Sequence, residues 1–225
     1  MLSGILFDLD GTLVNTDPLH YKAWKEILRE YKLEIDENFY KKRISGQLNK
    51  LIVKDLLPYL SSEEGQQVIE EKEVRFRKLL PNVQPLPGLS DVLAWANKSG
   101  LKRAVVSNSP PINLDFLLSA LSLTDAFDTV ILAEEVGIGK PDPAPYQLAL
   151  KRLNLAPQDV VAFEDSSAGI RSSIGAGIQT IGITSTHASD DLCNAGAMMA
   201  IPNFKDEQLW SLLLSSSRVR VNSGV

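Results

Sequence analysis

Two patterns of hydrophobic and polar residues divide the chain. Five short segments are rich in β-branched and aliphatic residues, and each is followed by a loop and then by apolar positions at helical spacing. The predicted strands are 4–8, 103–107, 129–133, 160–164 and 179–183, and the predicted helices are 89–99, 112–121, 143–153, 167–175 and about 205–214. Strands that alternate with helices pair in parallel through right-handed crossovers. The pattern therefore predicts an α/β fold, with a Rossmann-like three-layer core in which helices cover both faces of a parallel sheet.

The stretch 16–83 has a different pattern, with no strand signal and with apolar residues at helical spacing. Its periodic positions are Trp24, Ile27, Leu28 and Tyr31, followed by Leu51, Leu56, Leu57 and Leu60. We expect a small helical bundle inserted between the first strand and the helix after it. The predicted α/β core is 1–15 and 84–214, whereas 215–225 has no core-forming pattern and is predicted to be a loose tail.

Composition and charge narrow the class of protein. The 225 residues are 44% hydrophobic and 23% charged, near the averages of soluble globular proteins. The net charge of −5 argues against a nucleic-acid partner, and no apolar run approaches the ~18 residues that span a bilayer. Cys193 has no second cysteine with which to form a disulfide, and the N-terminus is acidic too early for a signal peptide. We therefore expect a cytoplasmic protein without membrane or nucleic-acid partners, and a monomer as the default.

The motif FDLDGT carries the first chemical signal. Asp8 ends the first predicted strand, and Asp10 lies two residues on, so that both carboxylates point the same way in an extended backbone. Two such neighbours repel one another, and a hard cation such as Mg²⁺ relieves that repulsion by binding carboxylate oxygens. A bare Asp-x-Asp is also compatible with two solvated turn residues. The complete motif, in which Gly11 allows a sharp turn, occurs by chance much less often than a bare Asp-x-Asp.

Polar residues also follow the later strands. They are Ser107 and Asn108 after the second strand, Lys140 in the loop GIGKPDP, and Glu164 and Asp165 after the fourth strand. Each has an ordinary alternative: a strand-to-helix turn for the first pair, a solvated side chain for the lysine, and a helix N-cap for the acidic pair. In an open α/β sheet, however, the carboxyl ends of the strands share one edge, where ligands bind. We expect these groups to converge there with the two aspartates of the first motif.

Taken in order, the motifs FDLDGT, VVSNS, GKPDP and FEDS resemble the four motifs of the haloacid dehalogenase superfamily. The resemblance extends to about residue 200, and the inserted bundle is similar to the cap of the β-phosphoglucomutase and phosphoglycolate phosphatase-like branch. It implies a phosphoric monoester hydrolase rather than a dehalogenase, because the second aspartate and the acidic pair belong to the phosphate-transferring members.

The resemblance also implies a role for each motif residue. Asp8 is the expected nucleophile, which forms an aspartyl-phosphate, and Asp10 is the expected general acid and later base. The implied Mg²⁺ ligands are Asp8, the carbonyl oxygen of Asp10, Asp165 and the nearby Glu164. The implied phosphate-binding groups are Ser107, the Asn108 amide and Lys140.

The inserted bundle, as a cap, is expected to close over the sheet edge and to select the substrate. Its candidate substrate-contacting residues are His20, Arg43, Gly46, Gln47 and Lys50. A surface histidine in the first helical turn and a solvated helix end are the alternatives for His20 and Arg43. Mutase relatives usually carry an arginine a few residues beyond the loop glycine, where this chain has Asn49 and Lys50, and Thr12 is more typical of hydrolytic members.

Three functions are compatible with these features. The favoured one is a Mg²⁺-dependent phosphatase that hydrolyses a small phosphorylated metabolite, such as a sugar phosphate. The first alternative is a hexose phosphate mutase similar to β-phosphoglucomutase. The second is a non-catalytic binding module on the same scaffold, since a fold by itself does not establish an activity.

Overall fold

The structure is a computed structural model that describes residues 2–45, 47–80 and 83–217. The chain divides into two compact units. One contains the residues up to Asn15 and those from Gln84 onward, and the other is Thr16–Val83. The first unit is an α/β domain and the second is helical.

The first unit is built on a six-stranded sheet within the described part of the chain, and every pair of neighbouring strands is parallel. The strands are β1 (Gly4–Phe7), β2 (Lys102–Ser107), β3 (Thr129–Leu132), β4 (Val160–Glu164), β5 (Gln179–Ile183) and β6 (Met199–Ile201). Their order is β3-β2-β1-β4-β5-β6. The direction in which strands are added reverses at β1, and such a reversal point is where ligands bind in open α/β sheets.

β1 lies at the centre of this sheet because its four residues are all apolar or glycine and all buried. Alternate side chains point to opposite faces. On one face Leu6 joins a cluster that includes Ala104, Ala162 and the helical Tyr146. On the other face Phe7 stacks on Phe163, with ring centroids 5.4 Å apart. The short apolar segment predicted as the first strand is thus buried on both faces of the sheet.

The helices of the first unit follow the strands. They are α5 (Leu89–Lys98), α6 (Pro111–Ala120), α7 (Ala133–Val136), α8 (Ala144–Leu153), α9 (Ser167–Gly175), α10 (Ser189–Asn194) and α11 (Glu207–Ser217). The sequence pattern did not predict α7, α10 or β6, which have four, six and three residues and are too short to show a period.

The predicted loose tail needs one correction. Helix α11 continues to Ser217, three residues into the stretch 215–225. Ser211 and Ser215 donate their hydroxyl hydrogens to the carbonyl oxygens of Glu207 and Leu212, so polar side chains here bond to the preceding turn instead of ending the helix. The rest of the predicted tail, 218–225, lies outside the described residues.

The second unit consists of α1 (Asp17–Glu30), α2 (Glu37–Arg43), α3 (Asn49–Leu56) and α4 (Ser62–Leu79) among the described residues. Trp24, Ile27 and Leu28 belong to its core, as their helical spacing predicts. Ser61 begins α4 with a reciprocal capping box, in which it exchanges hydrogen bonds with Glu64. No helix in the described ranges has the length and apolar character needed to cross a membrane.

Candidate active site

The residues predicted to follow the strands do converge at the carboxyl edge of the sheet. Asp8 comes directly after β1, and its backbone N–H donates to the carbonyl oxygen of Phe163 at 3.0 Å, which extends the β1–β4 pairing by one residue. Glu164 and Asp165 end and follow β4, and all three acidic residues are buried. β1 and β4 are neighbours, so their carboxylates meet at the reversal point of the sheet.

Lys140 is the cation of this site. Its Nζ donates to Oδ1 of Asp8 at 2.6 Å and to Oε1 of Glu164 at 2.5 Å. Burial opposes the charge on the ammonium, but the two carboxylates outweigh that effect and raise the pKa of Lys140 above its ordinary value. The lysine is therefore a buried, charged group that fixes the orientation of Asp8, and not a solvated loop residue.

Three carboxylates form a cluster that fits a divalent cation. Ligand oxygens of Asp8, Glu164 and Asp165 all lie within 4.8 Å of one another. With Lys140 the formal charge is −3 + 1 = −2, and the second carboxylate oxygen of Glu164 is buried without a hydrogen-bond partner among the described residues. Carboxylate oxygens around an excess of two negative charges match the ligand preference of Mg²⁺.

Burial and neighbouring negative charges raise the pKa values of two carboxyl groups in this cluster. Burial, opposed by Lys140 and reinforced by Glu164, raises the pKa of Asp8 from 3.8 to about 7. Burial and the neighbouring charges of Asp8 and Glu164 also raise the pKa of Asp165 well above its ordinary value. A bound cation would favour the ionised form of both groups.

Asn108 holds the loop that carries the lysine. Its side-chain oxygen accepts the backbone N–H of Lys140 at 3.0 Å, and its side-chain nitrogen donates to the carbonyl oxygen of Lys140 at 3.2 Å. A Cβ atom on Gly139 would lie 2.7 Å from the same Asn108 oxygen, so the glycine permits this close approach. The Asn108 side chain thus positions Lys140. The amide of Asn108 that can bind phosphate is therefore its backbone N–H.

The side chain of Asp10 is not part of the cluster formed by Asp8, Glu164 and Asp165. Its Oδ2 accepts a hydrogen bond from the hydroxyl of Ser109, and the residue is half-buried. The backbone N–H of Ser109 donates in turn to the Oγ of Ser107 at 3.0 Å. The loop after β2 therefore contacts the second aspartate of FDLDGT, as expected for two motifs on adjacent strands.

Comparison with known proteins identifies the family. The family model described as haloacid dehalogenase-like hydrolase matches residues 5–183. The chain belongs to the haloacid dehalogenase-like hydrolase family. The resemblance inferred from four motifs is thereby confirmed, and the matched range contains every residue of the site described above.

Relatives within the haloacid dehalogenase-like family include a phosphatase and a mutase. The chain is 31% identical over 221 residues to the phosphorylated carbohydrates phosphatase of Thermotoga maritima, covering 94% of this chain and 98% of the relative. It is 27% identical over 191 residues to the beta-phosphoglucomutase of Bacillus subtilis, covering 81% and 83%. CbbY from Rhodobacter sphaeroides, solved with phosphate, superposes with a TM-score of 0.80 at 28% identity, covering 92% and 96%. The predicted enzyme class, a phosphoric monoester hydrolase, is confirmed.

Four further residues shape this haloacid dehalogenase-like site although they were not predicted to be site residues. Tyr146 donates to Oε1 of Glu164 at 2.6 Å, and Thr186 donates to Oδ2 of Asp165. Gly11 has a φ of +86°, and a Cβ there would lie 2.1 Å from Oδ2 of Asp165. Gly169 similarly leaves room for Glu164. Of these four residues, only Gly11 belongs to a motif. Tyr146 lies in a predicted helix, where an aromatic residue indicates a core position, and Thr186 lies after the last predicted strand and outside every motif.

The candidate residues of the second unit have varied surroundings. His20 is half-buried, stacks on Phe76 with ring centroids 3.9 Å apart, and accepts at Nδ1 from Nζ of Lys72 at 2.8 Å. Arg43 forms an ion pair with Asp55 at 2.6 Å, and both side chains are about half exposed. Gln47 and Lys50 are exposed, and Gly46 lies outside the described residues.

A buried polar cluster in the second unit had no sequence signal. Lys72 is 1% exposed and donates to Oε1 of Glu73 at 2.7 Å as well as to His20. Asn49 donates to the same Glu73 oxygen at 2.7 Å. A lysine ammonium can only donate, so Nδ1 of His20 is the acceptor of this hydrogen bond. The cluster connects helices α1, α3 and α4.

Proposed function

We propose that this protein is a Mg²⁺-dependent phosphatase that hydrolyses a small phosphorylated sugar through an aspartyl-phosphate on Asp8. The observation that carries the proposal is the buried cluster of Asp8, Glu164 and Asp165 around Lys140, with its formal charge of −2. A carboxylate held at the reversal point of the sheet, beside a lysine and a cation site, can approach a phosphate dianion that it would otherwise repel.

The reaction proceeds in two displacements. A carboxylate oxygen of Asp8 attacks phosphorus, the bond from phosphorus to the ester oxygen breaks, and Asp10 gives its proton to that oxygen as the alcohol leaves. Asp10, now ionised, takes a proton from a water molecule that attacks the same phosphorus. The bond to Asp8 then breaks, phosphate departs, and both aspartates return to their initial state.

Three groups hold the phosphoryl group during these steps. Lys140 stays charged and supplies an ammonium beside Asp8. Ser107 accepts the N–H of Ser109, which leaves its hydroxyl hydrogen to donate to a phosphoryl oxygen, and the backbone N–H of Asn108 is the second donor. Asp8, Glu164, Asp165 and the carbonyl oxygen of Asp10 would hold Mg²⁺, which when bound would supply positive charge between the attacking carboxylate and the phosphate.

The names of the relatives support the proposed substrate class. One of them is named as a phosphatase of phosphorylated carbohydrates and another as a beta-phosphoglucomutase. We assign the second unit, Thr16–Val83, the role of a cap that selects the sugar, with His20 and the stretch 43–50 as its substrate-contacting region. The monomeric state and the cytoplasmic location of the protein remain predictions. Size-exclusion chromatography with light scattering tests whether the protein is a monomer.

Phosphate release tests the proposal directly. A panel of sugar phosphates, including fructose 1-phosphate, glucose 1-phosphate and glucose 6-phosphate, is assayed with Mg²⁺ and with EDTA. We expect Mg²⁺-dependent release, and we expect Asp8→Asn to abolish it while the protein stays folded and unfolds cooperatively. Asp115→Asn, on the exposed face of α6, is the matched control and keeps full activity. Near-normal turnover by Asp8→Asn removes this residue from the nucleophile role, and no release from any ester favours a binding module.

A hexose phosphate mutase is the second candidate, since one relative carries that name. In a mutase the phosphoryl group on Asp8 returns to another hydroxyl of the sugar instead of passing to water. Incubation with β-glucose 1-phosphate and a catalytic amount of the bisphosphate separates the two. We expect free phosphate to accumulate. Accumulation of glucose 6-phosphate in its place identifies a mutase.

A further inference from the structure

We infer that Ser109 is a positioning residue for Asp10, which fixes one oxygen of that carboxyl group so that the other carries the transferable proton. The inference rests on the proposed phosphatase function and adds to it a role for Ser109, the last residue of VVSNS, to which the family resemblance assigned none. Ser109 and Asp10 lie 99 positions apart in sequence, and the fold brings them together in the loops that follow the adjacent strands β2 and β1.

Two constraints hold Ser109 in place. Its backbone N–H donates to Oγ of Ser107 at 3.0 Å, and Pro110 follows it directly. A residue before proline is restricted to extended backbone conformations, because the proline ring clashes with the helical ones. Helix α6 begins with a second proline, Pro111. The serine hydroxyl is thus presented from a rigid loop, as a group that orients another side chain must be.

The hydrogen bond selects between the two oxygens of Asp10. Oδ2 accepts the hydroxyl hydrogen of Ser109. A carboxylic acid whose one oxygen accepts a hydrogen bond keeps its own proton on the other oxygen, here Oδ1. The same bond persists when Asp10 is ionised, because a carboxylate accepts at both oxygens. Ser109 therefore holds the carboxyl group in one orientation in both the acid and the base step.

The hydroxyl of Ser109 has a single hydrogen, which Asp10 receives. The Oγ atom of Ser107, two residues earlier, accepts the N–H of Ser109, and the hydroxyl hydrogen of Ser107 can donate to phosphate. The two serines of the motif VVSNS thus have different tasks. Loss of Ser107 weakens phosphate binding for every ester, whereas loss of Ser109 matters only where the leaving oxygen needs a proton.

Leaving-group dependence tests this distinction. An aryl ester such as p-nitrophenyl phosphate releases a stable phenolate, which requires little help from an acid, whereas a sugar phosphate releases a strongly basic alkoxide. The measured quantity is kcat/KM, which reports the steps up to departure of the alcohol and not the later attack of water. We expect Ser109→Ala to lower kcat/KM for the best sugar phosphate of the panel by about 10- to 100-fold, part of the full effect of a general acid. For p-nitrophenyl phosphate we expect a change below about twofold.

Two controls accompany the variant. Ser107→Ala is expected to lower kcat/KM for both esters alike, and Ser119→Ala, on the exposed face of α6, is expected to change neither. An equal loss on both esters in Ser109→Ala, or no loss on either, overturns the inference while the wild-type phosphatase activity stands. A wild type that releases no phosphate from either ester overturns the proposed function and the inference together.

Discussion

The buried carboxylate of Glu164 has space because residue 169 is a glycine, which has no side chain. Its carboxylate is fully buried, and the first turn of α9 passes directly over it. A Cβ atom on Gly169 would lie 1.9 Å from Oε2 of Glu164, far inside van der Waals contact. Gly169 is therefore required by the acidic site and not by the helix, in which alanine would be more favourable than glycine.

Gly169→Ala is expected to displace the Glu164 carboxylate and to weaken Mg²⁺ binding by at least about tenfold, the scale on which groups that orient metal ligands act. The measurement is Mg²⁺ titration by thermal shift, with phosphatase activity in parallel. Gly175→Ala in the same helix is the matched control, because its Cβ would meet Pro143 at 3.3 Å, away from the acids. Equal Mg²⁺ affinity in both variants contradicts the proposed role of the glycine.

Residue roles were predictable where a motif fixed them and not elsewhere. The placement of Asp8, Glu164 and Asp165 followed from strand ends, because parallel strands bring their carboxyl ends to one edge. The contact between Ser109 and Asp10 had no such signal, since a serine two residues beyond a strand is an ordinary turn residue. The family resemblance implied Lys140 as a phosphate-binding group, whereas its ion pairs with Asp8 and Glu164 were found only in the structure.

At the scale of elements, the second unit is held together by charge as well as by its apolar core. Lys72 of α4 is buried between His20 of α1 and its neighbour Glu73, and Asn49 of α3 also donates to Glu73. The rings of Trp24 and Phe76 lie 5.7 and 5.2 Å from the ammonium. Removal of one member of a buried ion pair leaves the other charge uncompensated, which costs more than removal of both.

Lys72→Met is accordingly expected to destabilise the second unit by about 3 kcal/mol, because it removes the ammonium that donates to the buried Glu73 carboxylate. The double variant with Glu73→Gln is expected to recover most of that loss. Hydrogen exchange at the amides of α1 and α4 measures the effect where it occurs. Lys78→Met, at an exposed position of α4, is the control. A double variant less stable than Lys72→Met speaks against an ion pair as the cause.

The elements themselves were largely readable from the sequence. The predicted strand 160–164 coincides with β4, and the predicted helix 167–175 coincides with α9. Longer periodic segments bury a defined face, so their pattern is visible. β6 has only Met199–Ile201 and owes its place to pairing with β5, a tertiary contact that no local pattern encodes.

At the scale of the whole molecule, the acidic site couples metal binding to stability. Folding buries Asp8, whose pKa rises from 3.8 in an exposed chain to about 7 in the metal-free fold. Between these values the folded protein holds a proton that the unfolded chain has released. The free energy of unfolding of the metal-free protein therefore falls as the pH rises through this window. Asp165, whose pKa is raised in the same sense, adds to the trend.

Mg²⁺ is expected to reverse that trend, because it binds the ionised carboxylates and stabilises only the folded state. The increase in melting temperature on replacing EDTA by Mg²⁺ should be small at about pH 5 and several degrees larger at about pH 8. Asp8→Asn removes one ligand and one titrating group, so it should melt higher than the wild type in EDTA at about pH 8 and gain less from Mg²⁺. A Mg²⁺ shift of the same size at both pH values, in wild type and variant alike, would mean that the ion binds elsewhere than at the cluster of Asp8, Glu164 and Asp165.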